Sequence, residues 1–172
     1  MKPKVLTLAT GLILLLFFSA IAQSNKFPNA DLYNLDGKRI NAATISNNNM
    51  PLLLVFFKTN DNKCRENLFS ICEAHEEVLV KKGVKVVAVC VDCTGRVEHV
   101  KPFIYGHDLD IEVYTDKNGN FKRAMGIADA PYTILYDHQM KIYCQQIGYC
   151  AGSEEMVCEK VNECLKKMAI GQ

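Results

Sequence analysis

PLLLVFFKTNDNKCRENL, Pro51 to Leu68, is the stretch whose reading decides the fold. Leu52 to Phe57 is apolar without interruption, the pattern of a strand covered on both faces. The run stops at Lys58, and the polar segment Thr59-Asn60-Asp61 leads into a helical pattern with Cys64 in its first turn. Asp61 is a favoured helix N-cap, since its carboxylate can accept from the free N–H groups of the first turn. From Cys64 to Lys82, Leu68, Ile71 or Cys72, His75, and Val78 or Leu79 recur at three- and four-residue intervals, and Gly83 follows as a stop. The stretch therefore predicts a buried strand that ends abruptly and delivers a thiol to the start of a helix.

The same alternation of periods continues on both sides. Asp31 to Ile40 is an alternating segment broken by Asp36-Gly37, a hairpin turn signal. Val84 to Val91 (VKVVAVCV) predicts a second buried strand, Arg96 to Tyr105 a helix, Ile111 to Tyr114 a short strand, and Phe121 to Met125 a brief helix. Tyr132 to Tyr136, preceded by Pro131, predicts a strand that pairs with Lys141 to Ile147 through a turn at His138 to Met140. Ser153 is expected to cap a last helix with Glu154 and Glu155 in its first turn and Val157, Val161, Leu165 and Met168 as its buried stripe. Strand–helix–strand units imply parallel pairing with right-handed crossovers, and the final two strands form a hairpin. The expected fold class is α/β, a mixed central β-sheet flanked by helices on both faces with an N-terminal β-hairpin.

The chain has 172 residues and a formal net charge of +1. Lys2 and Lys4, the apolar run Val5 to Phe18 and the small residues Ala20-Ile21-Ala22 follow the plan of a secretory signal peptide. The expected domains are therefore a signal peptide at 1–22 and one compact domain at 23–172. The leader takes two of the 20 basic residues, leaving 18 against 19 acidic ones and a charge of −1. That balance supports neither nucleic acid nor an anionic membrane surface as a partner, and no stable membrane insertion is expected after cleavage.

The order of elements resembles the thioredoxin fold, with an N-terminal hairpin like those of exported TlpA-like reductases and alkyl hydroperoxide reductase–thiol-specific antioxidant (redoxin) proteins. FPNADLYNLDGKRI (Phe27–Ile40) is similar to the family's opening segment, and LLLVFFKTNDNKCREN (Leu52–Asn67) to its strand–active-site–helix element. VYTDKNGNFKRAMGIADAPYTILYDHQMKI (Val113–Ile142) is similar to its second half. The resemblance implies that Pro131 is the cis-proline facing the redox site, with Tyr132 beside it. It also implies protein or peptide thiols and disulfides as partners, a membrane reductase among them, and no cofactor; together with the cleaved leader it points to the periplasm, with the extracellular medium as the second choice. The family's Trp-Cys-x-x-Cys is departed from: Asn60-Asp61-Asn62-Lys63-Cys64 stands there, and the protein has no tryptophan. Asp61 thus occupies the place of the attacking cysteine, and only the resolving position survives, as Cys64. Peroxide reduction needs a threonine three residues before its cysteine, whereas Thr59 lies five before Cys64.

Thiol–disulfide exchange requires a thiolate attacker and a second thiol to release the product. Cys64 alone supplies one, so a redox role requires a distal partner. Cys90 and Cys93 (CVDC) end the second strand. An extended CVDC would hold its two sulfurs' Cα atoms about 10 Å apart, too far to bridge, although a turn at Asp92 would permit it. Cys93, just ahead of a helix, is the first candidate partner for Cys64. Cys72 is expected in the core. Cys90, Cys144, Cys150, Cys158 and Cys164 are disulfide candidates, with Cys150–Cys158 or Cys144–Cys164 pinning the last helix to the sheet. Cys158 and Cys164 lie about 9 Å apart along that helix and cannot pair. No metal site is expected, because only one Cys-x-x-Cys exists and His75, His99, His107 and His138 have no ligand spacing. Two readings follow: a thiol–disulfide oxidoreductase relying on Cys64 with a distal cysteine, or a catalytically silent binding and assembly module stapled by disulfides.

Overall fold

The computed structural model describes residues 26–92 and 97–170. The signal peptide expected at 1–22 and Cys93 lie outside the described residues. One seven-stranded mixed sheet organises the chain, in the order β2-β1-β5-β4-β3-β6-β7. Its strands are β1 (Asp31–Asn34), β2 (Arg39–Asn41), β3 (Leu52–Phe57), β4 (Lys85–Cys90), β5 (Glu112–Thr115), β6 (Tyr132–Tyr136) and β7 (Ile142–Ile147). β3, β4 and β5 run parallel, and antiparallel hairpins close both ends. Every residue of β3 is buried, because β4 and β6 flank it and helices or loops cover both its faces.

The pleat sorts β3 into two cores. Leu53, Val55 and Phe57 join one cluster with Leu68, Ile71, Val100, Ile104, Val157 and Val161. Leu52, Leu54 and Phe56 join the other with Phe27, Phe121 and Ile127. Helices α1 (Asn62–Ala74), α2 (Val100–Gly106) and α4 (Ser153–Ile170) thus cover one face, and α3 (Asn120–Ala124) covers the other with the N-terminal segment. Burying each large apolar side chain of β3 contributes roughly 1.5–3 kcal/mol.

The expected elements are present, with their ends corrected. The helix expected from Cys64 begins at Asn62, and it does not stay α-helical to Lys82. After Ala74 it widens into a π turn (His75–Leu79) and tightens into a 3-10 turn (Val80–Lys82), with Gly83 at φ 70° as its left-handed stop. The wider turn lets Leu79 reach the core while Val78 stays half-buried. Of the helix expected from Arg96, a residue outside the described ones, Val97–His99 form a 3-10 turn that leads into α2. Ser153 opens α4 rather than preceding it, and its hydroxyl donates to the Cys150 carbonyl at 2.5 Å. The buried stripe of α4 is Val157, Val161 and Cys164, with Leu165 and Met168 at its margin. Asn47 is a buried tie between distant loops. Its amide donates to the carbonyls of Met50 at 2.8 Å and His138 at 2.9 Å, joining the β2–β3 connection to the β6–β7 turn.

Candidate active site

The end of β3, the start of α1 and the loop before β6 meet at one edge of the sheet. Asp61 caps α1: its Oδ1 accepts from the Cys64 N–H at 2.8 Å, and its backbone is extended (φ −111°, ψ 126°). That bond, together with the nearby Lys58 charge, holds the Asp61 carboxyl below the usual carboxylate range. Cys64 is completely buried. Desolvation pushes its thiol up to about 12, and the Asp61 carboxylate adds to the rise, while the Lys58 backbone N–H opposes it. At neutral pH this sulfur is a thiol, which does not attack disulfides.

The peptide bond between Ala130 and Pro131 is cis, as the resemblance implies. Lys58 joins the two sides of the edge. Its Nζ donates to Asp129 Oδ1 at 2.5 Å, two residues before Pro131, and the same ammonium lies within the electrostatic reach of Cys64 and Asp61. The Asp129 bond, and then the neighbouring negative groups, raise the Lys58 pKa. Asn67, buried on α1, donates to Thr133 Oγ1 at 3.3 Å and fixes the helix against β6. Beside Pro131 a cleft of about 340 Å3 is lined by Asp129, Ala130, Tyr132, Ile147 and Gly148. The Tyr132 hydroxyl donates to Gln145 Oε1 at 2.7 Å.

A third contribution comes from β4. Asp92, buried just beyond the strand, accepts from the Thr59 N–H at 3.0 Å and from the Thr59 hydroxyl. Asp92 therefore ties the strand ends of β3 and β4 together. Cys90 is buried in register with Phe57, and desolvation and then Asp92 raise its thiol pKa. The seven described cysteines are free thiols, Cys144, Cys150, Cys158 and Cys164 among them. Cys150 is the exposed one; Cys144 and Cys158 are half-buried. Among the described residues no group of three His, Cys, Asp or Glu side chains is placed to hold a metal ion.

The structure brings together Asp61, Cys64 and the Pro131 loop, and it adds Lys58, Asp129, Thr59, Asp92 and Asn67, which the sequence reading did not select. One signal for Lys58 was present: a cation closing a six-residue apolar strand has to find a partner or solvent. Cys144, Cys158 and Cys164 belong instead to the β7–α4 region.

The mixed sheet, the capped helix leaving β3 and the cis-proline loop opposite it define a protein of the thioredoxin fold. The AhpC/TSA family model matches residues 24–145, and the chain belongs to that family. A thioredoxin-like protein from Porphyromonas gingivalis is 33% identical over 82% of this chain and 92% of its own, with a TM-score of 0.71. A candidate thiol:disulfide interchange protein DsbE from Chlorobium tepidum is 21% identical over 81% of this chain and 95% of its own (TM-score 0.69). A secreted disulfide oxidoreductase of Mycobacterium tuberculosis, homologous to E. coli DsbE, is 15% identical over 78% and 96% (TM-score 0.65). Comparison with curated proteins finds no match. Among the described residues no helix is long and apolar enough to cross a membrane.

Proposed function

We propose that the chain is an exported protein of the thiol–disulfide oxidoreductase class in which Asp61 stands where the attacking cysteine would be. Any exchange then relies on Cys64 as the resolving thiol, with a distal cysteine, Cys93, as the attacker. The supporting observation is the position of Cys64, buried in the first turn of α1 directly behind the Asp61 cap, on the edge that carries cis-Pro131. Protein or peptide thiols and disulfides are the substrate class, held in extended form along the cleft beside Pro131, with a membrane reductase as the electron source. The leader at 1–22 supports export to the periplasm.

A second reading is favoured by the enclosed, high-pKa thiol itself: a catalytically silent module that binds polypeptide in the same cleft. One titration separates the two. A redox-active protein shows a reversible two-electron couple between about −300 and −120 mV, lost in Cys64→Ala. Absence of that couple removes the first reading, and turnover in an insulin-reduction assay removes the second.

A further inference from the structure

The β7–α4 contact holds a pair of thiols that the site above does not use. β7 carries a register irregularity: Leu135 pairs with Cys144 and Tyr136 with Ile142, so Tyr143 is the extra residue of a bulge. A bulge breaks the strict alternation of faces, and here it turns both Tyr143 and Cys144 toward the core under α4. Each meets a different point on one stripe of that helix. Cys144 lines a cleft of about 190 Å3 with Val157 and Lys160. The Tyr143 ring lies under the Lys167 ammonium, 5.0 Å from its centroid. Cys164 falls between Lys160 and Lys167 on the same stripe, completely enclosed, in the cluster against which Cys144 packs. Burial, then Asp137 and the Cys144 sulfur, raise its thiol pKa.

We propose that Cys144 and Cys164 are a second dithiol, closing to a reversible disulfide that clamps α4 to the edge strand β7. This inference stands apart from the Cys64 reading. Cys144, reached through the cleft, is the entry thiol, and Cys164 behind it is the resolving one. With a low-molecular-weight disulfide RSSR as oxidant, the Cys144 thiolate displaces RS− to give a mixed disulfide. The Cys164 thiolate then attacks the Cys144 sulfur and displaces the second RS−. Two protein thiols are oxidised to one disulfide, RSSR is reduced to two RSH, and the two protons go to the departing thiolates. Because burial also raises the Cys144 pKa, closure accelerates as pH rises.

The test uses the full chain carrying Cys150→Ser and Cys158→Ser, incubated with glutathione disulfide, alkylated and digested with trypsin. In that variant, peptide 142–160 holds Cys144 as its one thiol, and peptide 161–166 holds Cys164. The expected result is a linked 142–160/161–166 species, two mass units lighter than the summed reduced peptides and separated by reduction. It disappears on adding Cys144→Ser and persists on adding Cys64→Ala. Separate alkylated peptides, glutathione retained on Cys144, or Cys164 linked to any other peptide would overturn the proposal. In the unmutated chain, the same oxidation is expected to raise the thermal midpoint, and Cys144→Ser to abolish that rise; an unchanged midpoint counts against the clamp.

Discussion

Asp61 does two physical jobs with one carboxylate. It satisfies a free N–H of α1, and its charge discourages ionisation of the sulfur three residues on. Asp61→Ala is therefore expected to cost about 0.5–2 kcal/mol of stability through loss of the cap, read as a lower urea midpoint. The same change should speed iodoacetamide modification of Cys64 at a fixed alkaline pH, because one of the influences that raise its pKa is gone. Asp61→Cys asks the complementary question. It puts a thiol at the solvent side of the same helix start, where orphan N–H groups stabilise a thiolate. Insulin reduction should appear in this variant and vanish again when Cys64→Ala is added; an inactive Asp61→Cys protein would show that the edge has lost more than one sulfur.

At the scale of elements, the long helix leaving the site is a composite of α, π and 3-10 turns, and Gly83 ends it. Gly83 has φ 70°, and a Cβ there would fall 2.1 Å from Met50 Cε. The methionine tip can move, but the left-handed backbone penalty cannot be relieved. Gly83→Ala should destabilise by about 1–2 kcal/mol, and Met50→Ala in the same chain should recover little of it in a denaturant titration. The strand–helix order was legible because period 2 and period 3.6 alternate cleanly along the chain, and β6 needed no correction. The π turn was not legible, since the apolar spacing allowed either Val78 or Leu79 inward. The site was half legible. Asp61, Cys64 and Pro131 are local signals in known order, whereas the partners of Thr59 and Lys58 lie 33 and 71 residues away. Nothing in a local window announces that Asp92 clasps the end of β3.

For the whole molecule, the buried thiols set an alkaline limit. Cys64 and Cys72 are each raised from 9.0 to about 12, chiefly by desolvation. Between those values the unfolded chain has released protons that the folded chain retains. Stability from these groups is thus complete below pH 9 and lost as pH climbs toward 12. The urea midpoint should fall steadily across that window, and the double variant Cys64→Ala/Cys72→Ala should fall less steeply; parallel slopes would remove the thiols as the cause.

Asn47 constrains how this chain can be re-engineered. A hairpin tip such as Asp137–Met140 is ordinarily a good place to cut a protein open or splice in a tag, yet here that tip is the receptor for an amide arriving from 91 residues earlier. New termini at Gln139 would strand that amide inside the protein and unmoor the β2–β3 connection. Opening the chain at Gly37, where a Cβ would meet only open space, should leave a permutant that still folds.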